Sequence, residues 1–163
     1  MSDFLHTPIE RWDEYFDVLR SMRYHRKRQR FFEFQHLWAT FFGVVLGSGA
    51  FIAISANSKS AGWIALGSAL ISALTLVVRP SERARRHADL HDKFSDLAKQ
   101  LNVRRALTDV ELEKIIEARC DIEKTESPHL RSLNEICYYE TAMALGVDAK
   151  PPGMFTKFHS WLW

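Results

Sequence analysis

The sequence predicts an all-α membrane protein: a transmembrane helical hairpin with a long N-terminal helix before it and a C-terminal cytoplasmic helical bundle after it. Three observations carry this. Leu37 to Ala56 is a run of 20 residues without a charge. Ala61 to Val78 is a second such run, of 18. Basic residues fence both on one side of the implied membrane. At about 1.5 Å of rise per residue the runs span roughly 30 Å and 27 Å as helices, enough for a hydrocarbon core. A backbone in lipid satisfies its own hydrogen bonds, so each run is expected to be helical. Asn57, Ser58, Lys59 and Ser60 leave room only for a tight turn. The competing reading is a buried helix pair in a soluble protein. A cleaved leader fits less well, since 36 mostly polar residues come first.

The flanks set the expected orientation. Arg20, Arg23, Arg26, Lys27, Arg28 and Arg30 precede the first span, and Arg79, Arg83, Arg85 and Arg86 follow the second. The turn holds Lys59 alone. Lys and Arg accumulate on the cytoplasmic side, which places both termini in the cytoplasm. The same clusters suit anionic headgroups. Their position beside the spans argues against direct nucleic-acid binding, which a run such as Arg26-Lys27-Arg28-Gln29-Arg30 would otherwise suggest.

The division along the chain is 1–36 (amphipathic helix), 37–78 (hairpin, spans 37–56 and 61–78), 79–150 (bundle) and 151–163 (aromatic tail). The 163 residues carry a net charge of only +2, so the basic excess is local. Mean hydropathy is −0.20 although 47% of residues are hydrophobic, so the apolar residues are concentrated. Cys120 and Cys137 have no paired spacing, and in a cytoplasmic region both stay reduced.

Thr7-Pro8-Ile9-Glu10 has the form of a capped helix start. Ile9, Trp12, Phe16 and Leu19 then share a face. No glycine or proline follows until Gly43, so one helix is expected to run into the first span, with Phe31, Phe32, Phe34 and Trp38 as interfacial aromatics. Within the spans, Ala39, Gly43 and Gly47 form one ridge of small residues and Ala61, Ala65, Ala69 and Ala73 another. Close backbone approach drives helix association in lipid, so the ridges are candidate oligomer contacts, or simply the packing of one hairpin. Ser68, Ser72 and Thr75 form a hydroxyl stripe, either a candidate pore lining or donors to the carbonyls four residues back.

Beyond the spans, Pro80 marks a break or the first turn of a new helix. Leu90, Phe94, Leu97 and Leu101 repeat at four, three, four, which predicts an apolar seam facing a partner within the chain. Thr108 and Glu111 read as a capping box, ahead of Leu112, Ile115, Ile116 and Ile122. Ser127-Pro128 is expected to open the last helix, with Leu130, Leu133, Cys137 and Ala144 on one face, and Gly146 to end it. After Pro151-Pro152, the aromatic residues Phe155, Phe158, Trp161 and Trp163 need a cover: the bundle, a neighbouring protomer or the inner leaflet.

No motif carries catalysis. There is no phosphate-binding glycine loop, nucleophile elbow or HExxH. His87 and His91 share a helix face beside Asp89 and Asp92, but a solvated polar face accounts for them. Cys120, Cys137 and His129 read as core or surface residues, and Glu33 and His36 as interfacial ones. The expectation is a non-enzyme with no cofactor and no metal.

A basic-aromatic lead, Tyr24-His25-Arg26-Lys27-Arg28-Gln29-Arg30-Phe31-Phe32, enters a close pair of spans. A helical segment follows, with a late Leu133-Asn134-Glu135-Ile136-Cys137-Tyr138-Tyr139-Glu140 stretch before Gly146. Over Phe16 to Gly146 this resembles the SLATT family, two-transmembrane effector domains linked with bacterial nucleotide-signalling and retron-type defence systems. The resemblance implies an inner-membrane effector that forms pores or disrupts the bilayer as a homo-oligomer of roughly four or more protomers. It implies a toxin of antiviral defence, released by a trigger. This chain lacks the fused sensor or enzyme domain of many relatives, so a separate partner, such as a nucleotide-producing or retron component, would supply the trigger. The other function class consistent with the residues is a membrane-anchored adaptor whose cytoplasmic bundle binds a partner.

Overall fold

The computed structural model describes residues 8–56, 59–102, 107–126, 128–154 and 156. Five helices account for most of them: α1 (Pro8–Ser55), α2 (Ala61–Val78), α3 (Pro80–Leu101), α4 (Asp109–Lys124) and α5 (Arg131–Ala144). Among the described residues there is no strand. The chain divides into two compact units, Met1–Lys27 with His87–Trp163 and Arg28–Arg86. The helical N-terminal segment thus groups with the C-terminal helices.

In the first unit, the early part of α1 runs antiparallel to α3. Arg11 donates to the Leu101 carbonyl, the Met22 carbonyl faces His91 Nδ1 at 3.0 Å, and His25 faces His87. Each step forward in α1 is matched by a step backward in α3. The predicted seam faces inward: Leu90, Phe94, Leu97 and Leu101 are all buried, with Val18 of α1 and Leu112 and Ile115 of α4. Of the α1 residues expected on one face, Leu19 packs against the edge of this core. Val18, Ser21 and His25 are buried, whereas Trp12 is exposed and Phe16 packs edge-on against Tyr138 at 5.2 Å. The reason is rotational: a stripe through 18, 21 and 25 lies on a different side of a 3.6-residue helix from one through 12, 16 and 19.

Local signals set the helix ends. Glu111 N–H donates to Thr108 Oγ1 (3.3 Å) and Thr108 N–H to Glu111 Oε2 (3.0 Å), a complete capping box. At the end of α5, Gly146 N–H reaches the Met143 carbonyl and Val147 N–H the Ala142 carbonyl. This 5→2 and 6→1 pair needs a left-handed residue at 146, and glycine supplies it at φ 73°. The start of α5 departs from expectation. It begins at Arg131 with Leu130 as its N-cap, not at Pro128. The Leu130 N–H is taken by Tyr24 Oη at 3.0 Å. The buried face of α5 is Leu133, Cys137, Thr141 and Ala142, and Ala144 is exposed. Thr141 enters the core because its hydroxyl donates to the Cys137 carbonyl at 2.7 Å. Thr7 and Ser127 lie outside the described residues.

In the second unit, α1 from Arg28 onward and α2 form an antiparallel pair. A Cβ on Gly49 would meet Ile64 at 3.8 Å, one on Gly47 would meet Ser68 Oγ at 3.7 Å, and one on Gly67 would meet Leu46 at 3.7 Å. These are ordinary van der Waals distances, so the glycines let the helices touch without a gap. Arg79 ends α2 in the left-handed region (φ 48°, ψ 55°), with its N–H on the Thr75 carbonyl at 3.0 Å. Pro80 then opens α3, where its missing N–H costs nothing.

Candidate functional sites

Two arrangements stand out, one in each unit. The first is the apolar surface of the helix pair. Two helices are long and apolar enough to cross a membrane, and only 6% of the most apolar stretch of one, and none of the other, is buried. A core helix pair of a soluble domain would be covered, and the described residues supply no cover for these faces. Trp63, Leu76 and Val77 are each more than three-quarters exposed.

The predicted ridges divide between inner and outer faces. Gly47 lies against Ser68, whereas a Cβ on Gly43 would meet nothing within 4 Å. Within the first span the buried residues are instead Ala50 and Ala53. Ala39, Ala61 and Ala65 are half-buried, while Ala69 and Ala73 face outward. The hydroxyl stripe also divides. Ser68 and Thr75 are half-buried and Ser72 is exposed. Ser72 Oγ donates to the Ser68 carbonyl at 2.9 Å and Thr75 Oγ1 to the Ile71 carbonyl at 2.8 Å. Such back-bonding satisfies a hydroxyl without water. Thr75 also borders an apolar groove of about 390 Å³ with Phe34, Trp38, Ala39, Phe42 and Leu74.

The basic flanks are mostly solvent-facing. Arg26, Arg30, Arg79, Arg83, Arg85 and Arg86 are exposed. Arg28 lies 4.6 Å above the Phe32 ring and Arg83 at 5.7 Å, so the two cations cover a buried aromatic. In the other unit, Lys27 Nζ pairs with Glu140 at 2.8 Å. The tail residues Phe155, Phe158, Trp161 and Trp163 lie outside the described residues.

The second arrangement was not expected. His25, 1% exposed, stands between two partners: its Nε2 is 2.9 Å from Glu126 Oε1 and its Nδ1 is 2.9 Å from His87 Nδ1. His129 Nε2 lies 2.9 Å from the other Glu126 oxygen. The ring of His25 stacks on Phe94 (5.4 Å, 12°), and Tyr24 packs against His129 at 4.8 Å. Burial pushes the Glu126 carboxyl upward, but hydrogen bonds from His129 and His25, with their charges, outweigh it and hold it at about 2. With Glu126 ionised, the two nitrogens facing it carry hydrogens. In neutral His25 the opposite nitrogen then accepts from His87.

The candidate ligands weighed from sequence do not converge. His91 bonds the Met22 carbonyl while His87 turns to His25, so the i, i+4 pair is split. Cys137 is fully buried beside Tyr24 and Leu133, and burial pushes its thiol up to about 12, which makes it inert. Glu33 is exposed and accepts from Gln29. One sequence signal pointed to the true cluster: His25 falls in register with Val18 and Ser21, a titratable residue on an apolar stripe. No family model matches this chain, and neither a curated protein nor a solved structure matches it.

Proposed function

We propose that this chain is an oligomeric effector that permeabilises or depolarises the bacterial inner membrane, in antiphage defence, on a signal from a separate sensor partner or ligand. The observation that carries the reading is the uncovered apolar surface of the helix pair, where no residue of α2 is buried. Apolar patches of that extent need a cover, and lipid with neighbouring protomers supplies one. Two helices enclose no water path. A pore therefore requires roughly four or more copies, with Gly43, Ala69 and Ala73 as outward small residues where helices can approach closely. The resemblance to the SLATT family supports the same role. In this reading the first unit is cytoplasmic, and the basic flanks sit at the inner leaflet.

The deciding experiment is regulated expression in bacteria carrying a membrane-potential dye, with and without candidate triggers such as phage infection. Depolarisation before loss of viability is the expected result. A potential that stays intact under every trigger, while growth arrest still occurs, overturns the effector reading in favour of an adaptor.

The topology has its own test. A reporter fused after Trp163 should read cytoplasmic, and a cysteine replacing Lys59, which is exposed in the turn, should label from outside intact cells. Ten basic residues on the two flanks against one in the turn make this the favoured orientation. External labelling of the C-terminal segment would reverse it.

A further inference from the structure

His25, Glu126 and His129 each place one donor atom within 4.8 Å of the other two. They come from separate places: His25 from α1, Glu126 from just past the end of α4, and His129 from the segment before α5. The nitrogens of the two histidines sit 2.9 Å from opposite oxygens of one carboxylate whose side chain is only 3% exposed. In a tetrahedral zinc centre with bonds of about 2.0–2.1 Å, neighbouring donors stand about 3.3 Å apart. To hold such an ion, each histidine–carboxylate contact of 2.9 Å would open by about 0.4 Å, while the widest donor pair, within 4.8 Å, would close toward the same spacing.

We propose that His25, Glu126 and His129 bind a divalent cation of the zinc class. Two imidazoles and one carboxylate are a borderline donor set that suits zinc, whereas calcium and magnesium take oxygen ligands in larger number. The surroundings hold the first ligand in place. Phe94 fixes the plane of the His25 ring by stacking, and His87 bonds its far nitrogen. A ligating histidine commonly carries such an outer hydrogen bond, which sets its tautomer. The protons balance without a co-reactant. In the neutral cluster, the hydrogen on the metal-facing nitrogen of each imidazole moves to the other ring nitrogen as the cation arrives. The His25–His87 bond then reverses, with His25 Nδ1 donating to His87 Nδ1 as the hydrogen of His87 moves to its own Nε2. A protonated imidazole instead releases its proton to solvent, so binding weakens as pH falls. His129, the most exposed of the three, leaves the fourth position open toward solvent for a water or a partner's donor. The ion would tie α1 to the segment joining α4 and α5, independently of what the helix pair does in the membrane.

The test uses the full chain, without an affinity tag, purified in detergent micelles and stripped with EDTA. Titration with Co²⁺ is expected to give one ion per chain with the visible absorption of a four-coordinate site, displaced by Zn²⁺. Binding should weaken when the pH is lowered from 7.5 to 5.5. His87→Ala, a positioning change, should weaken it roughly 10–100-fold. His129→Ala and Glu126→Gln should cost more than that, and the exposed His36→Ala should cost nothing. His129→Ala keeps the core intact because its side chain is 39% exposed, so it decides the matter even if Glu126→Gln fails to fold. No stoichiometric uptake by the folded wild type, or uptake unchanged in His129→Ala, overturns the proposal.

Discussion

Replacing Gly43 with leucine is expected to collapse the oligomer ladder and reduce depolarisation by at least about tenfold, while the helix pair stays folded. The contrast with Gly47 gives the experiment its force. A side chain at 43 enters open space, but one at 47 grows toward Ser68 Oγ, already 3.7 Å from the first added carbon. Leucine at 43, whose first added carbon meets nothing within 4 Å, is therefore expected to block close approach by another chain while leaving the pairing with α2 in place. Leucine at 47 forces α1 and α2 of one chain apart, whereas alanine there fits at normal contact distance. Cross-linking in membranes and the dye assay should separate the cases. Gly43→Leu loses assembly and keeps helix content, Gly47→Ala changes neither, and Gly47→Leu loses both. If Gly43→Leu cross-links and depolarises like the parent, that face is not the assembly surface.

Much of the fold could be read from the chain because its signals are strong and local. Uncharged runs of 20 and 18 residues, a capping box at Thr108 and a glycine at 146 each impose one backbone outcome. The seam from Leu90 to Leu101 was legible for the same reason, since its spacing allows only one buried face. The start of α5 was not. Pro128 is a good first-turn residue, but the structure satisfies the Leu130 N–H through Tyr24, more than a hundred positions earlier in sequence, and the helix begins after that contact. The histidine cluster was hidden in a similar way. His25 sits inside a basic run that reads as a membrane flank, and Glu126 and His129 sit beside a proline in what reads as a helix start. Only the antiparallel packing of α1 on α3, with α4 ending alongside, brings them together. Beyond the register of His25 with Val18 and Ser21, long-range pairing of this kind leaves no periodic trace in the sequence.

Glu126→Gln is expected to cost about 3 kcal/mol of stability at pH 7 in the metal-free protein, and the cost should shrink in acid. The carboxyl is buried, which alone would raise its pKa. The hydrogen bonds from His129 and His25 reverse that and hold it at about 2, against 4.5 for an unperturbed glutamate. A folded-state pKa below the unfolded one contributes stability above the unfolded value. That contribution is lost as the pH falls from about 4.5 toward 2. A difference of about 2.5 units at 1.36 kcal/mol each gives the magnitude, and the 3% exposure of the side chain leaves little solvent screening to reduce it. Glutamine keeps the shape but presents an amide N–H to one of two imidazoles that both donate, so one bond is lost or a ring must change tautomer. Guanidinium unfolding of parent and variant in micelles with EDTA, at pH 7, 4 and 2.5, measures the difference directly. Other carboxylates titrate alike in both proteins and cancel. The gap should persist at pH 4 and fall to about a quarter of its pH 7 size at pH 2.5, half a unit above the folded pKa. A gap that is constant across the series would mean that Glu126 acts by packing alone, and that its ionised form is not what the histidines hold in place.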